Sequence, residues 1–224
     1  MPALPQHPAH DDLRRRWAAT VTAAAGRRPD ASSAGPDRYA DELLGRWAEP
    51  QRKYHTTDHL VAVLDRVDAL AEYADDIHLV RLAAWFHDAV YLPERSTNEE
   101  RSARLAERAL TELGVDRARI DEVSRLVLLT RTHAARDGDA NGAVLCDADL
   151  AVLASPPDAY ERYATAVREE YGFVPDDAYR AGRADVLRRL LDLPRLFRTP
   201  YGQRRWEDAA RRNMAGELER LRKS

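Results

Sequence analysis

The sequence has 224 residues, of which 44% are hydrophobic and 33% are charged, a balance typical of a folded globular protein that excludes a disordered chain. The formal net charge is −3, so we expect no nucleic-acid partner, because phosphate contacts usually require an excess of basic residues. No apolar stretch approaches the ~20 residues of a membrane span, and the N-terminal segment lacks the apolar centre of a signal peptide. We therefore expect a cytoplasmic protein without a membrane partner.

Helical patterns follow one another along the chain without a convincing strand, which predicts an all-α fold of about ten helices. We expect a flexible tail over residues 1–10 and a single domain over 11–224, with a core at about 52–155 and a helical extension at 156–224. The first helices are predicted at 11–25 and 36–50, and the next is a long helix capped by Thr56 or Thr57.

The later helices are predicted from caps and apolar spacing. Thr97 and Glu100 match a capping box for the first of them. Asp147 is expected to cap a short helix that continues through Ala154, which would place Asp149 in its first turn. The helix with the capping box is predicted at 97–113, and further helices are predicted at 116–132, 157–171, 175–191 and 204–221.

Polar residues interrupt several apolar helices. His87 and Asp88 fall inside a helix predicted at 77–90 that is apolar on several faces, where an unpaired carboxylate would be costly to bury. Arginine or backbone partners would satisfy this pair as well as a metal would. His59 begins an apolar stripe and is expected to point inward. With Asp149, these residues offer two imidazoles and two carboxylates from three helices, a set suited to a first-row divalent ion.

This ordered series resembles the HD superfamily of metal-dependent phosphohydrolases, whose pattern is an early helical histidine, a His-Asp dyad and a late aspartate. The sequence is similar to the bacterial "predicted metal-dependent HD phosphohydrolase" subgroup in the segments RKYHTTDHL, AAWFHDAVY, TNEERSARLA, LLTRTH, CDADLAVL, YERYATAVREEY, GRADVLRRLL and EDAARRNMAGELE. The resemblance implies an HD-type helical bundle that holds Mn, Fe, Co, Ni or Zn, with Mg also allowed, at His59, His87, Asp88 and Asp149. It also implies hydrolysis of a small phosphoester, with a nucleotide as the first expectation.

The resemblance leaves two other functions open. One is a di-iron oxygenase, because a few HD relatives use such a site. The other is a metal-stabilised nucleotide-binding or sensor module without turnover.

Four further residues are expected to act beside the metal. His55 and His133 would bind the phosphate, move protons or hold a second ion, and Glu99 or Glu100 would act as an acid or base. The capping box alone also explains Glu100. One ion is favoured over two, because the two predicted carboxylate ligands already balance the charge of one divalent ion and only two neutral histidines remain.

Three cations are expected to bind the phosphate of the substrate. Arg52 and Lys53 come just before His55, and Arg131 lies close to His133 in the sequence. Arginine is abundant in this chain, so a solvated surface position explains each of these cations equally well.

Overall fold

The computed structural model describes residues 7–25 and 35–223. In these ranges all the regular secondary structure is helical, with eleven α-helices, two short 3-10 helices and no strand, which confirms the predicted all-α bundle. The α-helices are α1 (His10–Ala25), α2 (Pro36–Trp47), α3 (Thr57–Ala69), α4 (Ile77–Phe86), α5 (Asn98–Glu112), α6 (Arg117–Leu129), α7 (Ala140–Leu150), α8 (Pro157–Glu170), α9 (Asp176–Leu191), α10 (Pro200–Arg205) and α11 (Glu207–Lys223). The 3-10 helices are Ala71–Tyr73 and Ala151–Ala154.

Three tryptophans mark the centre of the larger hydrophobic core. Trp17 in α1, Trp47 in α2 and Trp85 in α4 are fully buried. The rings of Trp17 and Trp85 meet edge to face at 5.3 Å, and Trp47 Nε1 donates a hydrogen bond to the Trp85 carbonyl at 3.1 Å. The cluster of buried side chains around them runs from Leu13 to Ala148, so α1 belongs to the same core as the helices that carry the predicted site.

The C-terminal helices enclose a second, smaller core. It extends from Ala151 to Met214 and includes the fully buried Leu187 and Phe197. Trp206, between α10 and α11, packs against both cores. The predicted helix at 204–221 corresponds to α11, which begins three residues later because α10 ends at Arg205. The C-terminal segment contributes a packed layer beside the main bundle.

The start of α7 is the largest departure from the sequence prediction. The helix begins directly after Asp139, whose carboxylate accepts the N–H of Gly142 at 2.9 Å. Asp147, the predicted cap, lies in the middle of α7 and is fully buried. Its carboxylate instead accepts the backbone N–H groups of Arg198 and Thr199 at 2.7 and 2.8 Å, which fixes the segment before α10.

The predicted capping box of α5 is also wrong. Thr97 precedes the helix but makes no capping hydrogen bond with its side chain. Glu100 instead accepts a hydrogen bond from Arg131 at 2.7 Å, because the end of α6 lies beside the start of α5.

The N-terminal segment is only partly described. The first six residues of the predicted tail lie outside the described ranges. His7 lies 2.9 Å from the Asp58 carboxylate through its Nε2 atom, and α1 begins at His10. Among the helices of the described ranges, none has the length and apolar character needed to cross a membrane.

Candidate metal centre

Three of the four predicted metal ligands converge inside the main bundle. His59 Nε2, His87 Nε2 and a carboxylate oxygen of Asp149 all lie within 4.8 Å of one another. The two Nε2 atoms are 3.3 Å apart, and Asp149 Oδ1 lies 3.2 Å from the first and 3.7 Å from the second. The residues come from the first turn of α3, the end of α4 and the last turn of α7, so three helices build the cluster.

His87 is oriented by the end of its own helix. The helix expected at 77–90 stops at Phe86, so His87 and Asp88 lie at its C-terminal end instead of in its interior. The His87 backbone N–H still bonds to the Ala83 carbonyl, and the ring Nδ1–H donates to the Ala84 carbonyl at 2.8 Å. In the neutral ring this bond leaves the lone pair on Nε2, the atom that faces the cluster.

Arg52 stabilises the turn that follows α4. Its side chain is fully buried, and its guanidinium donates to the carbonyls of His55 at 3.0 Å, Asp88 at 2.9 Å and Ala89 at 3.4 Å. These bonds satisfy backbone groups that the helix end leaves without partners. The sequence predicted that this guanidinium binds the phosphate of the substrate. In the structure it instead donates to backbone carbonyls of the segment before α3 and of the turn after α4.

Side chains of α5 hold the rest of this turn. The Val90 N–H donates to Ser102 Oγ at 3.0 Å, and the Leu92 N–H donates to Asn98 Oδ1 at 3.1 Å. The Asn98 amide also donates to the Leu92 carbonyl at 2.9 Å. The turn that carries His87 and Asp88 is therefore held by hydrogen bonds from Arg52 on one side and from α5 on the other.

Asp88 lies at the edge of the cluster. One of its carboxylate oxygens, Oδ2, is 3.3 Å from His87 Nε2 and 3.8 Å from His55 Nε2. It is not one of the three residues whose ligand atoms are mutually close. Its role as a fourth ligand stays a prediction.

The carboxylate of Asp149 is negatively charged although it is largely buried and lies at the C-terminal end of a helix. Its predicted place in the first turn of a helix is wrong: it lies in the last turn of α7, where the helix dipole disfavours an anion. Burial would raise its pKa, but the charge of His87 and hydrogen bonds from His133 and His59 hold that pKa well below its usual range. Burial would lower the pKa of His87, but Asp88 and Asp149 raise it to about 9. The cluster therefore attracts positive charge.

His133 supports Asp149 from the opposite side. Its Nε2 lies 2.8 Å from Asp149 Oδ2, so one carboxylate oxygen contacts His133 while the other faces the two imidazoles. Its backbone has a φ of 52°, in the left-handed region, just after the end of α6 at Leu129. A non-glycine residue in this conformation is uncommon and strained, which makes it a candidate for a functional constraint.

Glu170, at the end of α8, is a site residue that sequence reasoning missed. Its fully buried carboxylate accepts the backbone N–H groups of Lys53, Tyr54 and His55 at 2.8–2.9 Å. It also accepts His55 Nδ1–H at 2.7 Å and the Tyr91 hydroxyl at 2.9 Å. Burial would raise its pKa, but the bonds from His55 and the backbone hold that pKa at about 2. Glu170 thus fixes the loop before α3 and the orientation of His55.

A cavity of about 1000 Å³ opens beside the cluster. Its polar lining includes His55, Arg131, Thr132, His133 and Asp149. Its other walls come from the 3-10 helix at 151–154 and from α8 and α9, and they include Val152, Leu153, Tyr163, Val167, Gly182, Arg183, Val186 and Leu190. Of the three cluster residues, Asp149 therefore faces the cavity, while His59 and His87 are buried behind it.

The remaining predicted site residues occupy different places. Arg131 lines the cavity but is paired with Glu100. Lys53 is exposed, and its ammonium donates to the Pro50 carbonyl at 3.3 Å. Glu99 is half-buried and, like Glu100 and Lys53, is not among the residues that line the cavity.

Comparisons with known proteins found no matching family model, no matching curated protein and no matching solved structure. The chemistry of the donor set does fit a metal. Two imidazole nitrogens and a carboxylate oxygen are the ligands that first-row divalent ions prefer, and the geometry brings them together around one point. His59, His87 and Asp149 could therefore hold one ion.

Proposed function

We propose that this chain is a metal-dependent phosphohydrolase that cleaves a small phosphoester. The observation that carries the proposal is the convergence of His59, His87 and Asp149, of which Asp149 lines a cavity large enough for an organic substrate. The resemblance to HD phosphohydrolases supports it, since the three residues occupy matching positions of that pattern. When bound, a divalent ion supplies Lewis acidity, which polarises a phosphoryl oxygen and makes water a stronger acid.

His55 is placed to accept a proton. Its Nδ1–H is held by Glu170 at 2.7 Å, so in the neutral ring the lone pair is on Nε2. That atom lies 3.8 Å from the Asp88 carboxylate, on the side of the predicted ligands. A water that attacks phosphorus from this side would lose its proton to His55.

His133 is placed to return a proton. Its Nε2–H points toward Asp149, and the residue lines the cavity. When the ester P–O bond breaks, the leaving oxygen would take a proton from the doubly protonated ring of His133; that ring would regain a proton as His55 releases the one taken from water, so that water and ester become an alcohol and a phosphate. Arg131, beside it in the cavity wall, would then share its guanidinium between Glu100 and the phosphate.

The first test measures metal content and thermal stability. Purified protein is expected to carry close to one equivalent of a first-row divalent metal, and added Mn²⁺ should raise its melting temperature, because a ligand that binds only the folded state stabilises it. His87→Ala should lose both effects. His78→Ala is the matched control, since His78 lies in the first turn of the same helix and away from the cluster.

The second test measures turnover with a panel of nucleotides, sugar phosphates and aryl phosphates. Activity should disappear with chelator and return with added metal. His55→Ala should retain the metal and lose ~10²–10⁴-fold in kcat, the usual range for a general acid or base. The proposal would be refuted if His87→Ala kept its full metal content. It would also be refuted if no compound released phosphate with any of the added metals. Oxygen uptake by iron-loaded protein would then favour the oxygenase.

A further inference from the structure

We propose that the substrate is a phosphate monoester with an apolar organic part, and that α9 supplies the wall that binds this part. The inference rests on the proposed function, because it places the phosphate end of the ligand at the metal cluster. The cavity is lined both by Asp149 of the cluster and by Leu193, just beyond α9. Aliphatic side chains of its wall include Val152, Val186 and Leu190.

The size of the cavity requires an organic part. At about 1000 Å³ it lies at the upper end of the ~300–1,000 Å³ of small-molecule sites, far larger than a phosphate group needs. Each methylene that leaves water for an aliphatic wall increases affinity by about threefold to fourfold. An apolar substituent on the phosphate would therefore contribute strongly to binding.

Two of the three arginines that line the cavity are already paired, and the third, Arg189, is exposed near the end of α9. Arg183 binds Glu217 through two hydrogen bonds of 2.7 and 3.0 Å and also donates to the Tyr163 hydroxyl. Arg131, near the cluster, is paired with Glu100. A nucleotide brings a polar ribose and a base edge that need hydrogen-bonding partners, whereas an alkyl or aryl group does not. The aliphatic side chains of Val186 and Leu190 on α9, with Leu193 just after it, therefore favour the apolar ligand.

Gly182 offers a precise way to test this wall. It is a glycine of α9 that lines the cavity, and a Cβ atom built on it would meet no other atom within 4 Å. Gly182→Leu therefore adds a side chain to the cavity without a clash at its first atom. Gly45 in α2 is the matched control, because its Cβ would also meet nothing within 4 Å and it does not line the cavity.

The experiment is a calorimetric titration of the full-length, Mn²⁺-loaded protein with methyl-, butyl- and hexylphosphonate, which are not hydrolysed. Affinity should rise by about threefold per added methylene, and hexylphosphonate should bind more tightly than adenosine monophosphate. Gly182→Leu should reduce the gain from methyl to hexyl by at least about tenfold, whereas Gly45→Leu should keep it. In chelator, the dependence on chain length should persist at lower overall affinity.

Equal affinities for all three phosphonates, no binding of any of them, or tighter binding of adenosine monophosphate would overturn the inference. A parallel assay with butyl and hexyl phosphate separates it from the proposed function. Binding that follows chain length without cleavage of either ester would support the cavity assignment and refute the hydrolase. Cleavage of both esters with kcat/KM independent of chain length would support the hydrolase and refute the assignment.

Discussion

His133 combines a strained backbone with a side chain that contacts a predicted metal ligand. Because its φ of 52° suits glycine better than any residue with a Cβ atom, His133→Ala should be about 1 kcal/mol less stable than His133→Gly. Both variants lose the bond to Asp149, so the difference between their free energies of unfolding reports the backbone strain alone. Urea denaturation in chelator measures this difference.

The same pair of substitutions at Arg104, an exposed position in the middle of α5, provides the control. There alanine should be the more stable variant by about 1 kcal/mol, as in any helix interior. An alanine variant at position 133 that equals the glycine variant would show that the left-handed conformation carries no strain.

At the level of helices and turns, Arg52 connects the segment before α3 with the turn after α4. Arg52→Met should lower the free energy of unfolding by about 3 kcal/mol, because buried carbonyls of His55, Asp88 and Ala89 would lose their donor. Arg46→Met is the control: Arg46 is part of a partly exposed ion pair with Glu42 and should change stability by less than about 1 kcal/mol. Denaturation midpoints measure both.

An Arg52→Met variant with normal stability and a raised KM would instead favour the substrate-binding role that the sequence predicted. A structural role of Arg52 thus predicts lower stability of the variant, whereas a substrate-binding role predicts normal stability and a raised KM.

Helix spacing predicted most of the elements, and tertiary contacts decided where the prediction failed. The apolar periodicity of α3 correctly indicated that His59 points inward. The end of α4 could not be predicted, since the bonds of Arg52 to the following turn join distant parts of the chain. The position of Asp149 in α7 was misjudged because Asp139 was not identified as the cap.

Glu170 was not predicted as part of the candidate site. Its segment, YERYATAVREEY, is one of those that carry the resemblance, but nothing in it distinguishes Glu170 from Glu161 or Glu169. Its partners are the backbone amides of residues 53–55, more than a hundred positions earlier, and only the packed structure brings them together.

At the level of the whole molecule, Glu170 links the C-terminal helices to the candidate metal centre and should make stability depend on pH. Its pKa of about 2 in the folded state lies below the ~4.3 of an unfolded glutamate. The stabilisation is therefore present above about pH 4.3 and is lost as the pH falls toward 2. Glu170→Gln should be less stable than the wild type at about pH 6, and the difference should shrink by about pH 3.

Urea midpoints measured in chelator across this range test the prediction. Glu161→Gln, at an exposed position of the same helix, should follow the wild type at every pH. A difference between Glu170→Gln and the wild type that stays constant with pH would contradict the assigned ionisation of Glu170.

The bond between Glu170 and His55 spans 115 residues, and this separation gives the biosynthesis of the protein an order. Because a chain leaves the ribosome from its N-terminus, His59, His87 and Asp149 all emerge before Glu170 does. The three residues that could hold an ion have thus all been synthesised at a stage when the loop of His55 still lacks the carboxylate of Glu170. A chain whose translation stops in this interval would contain the three residues that could hold a metal ion, but His55 would lack the carboxylate that orients it.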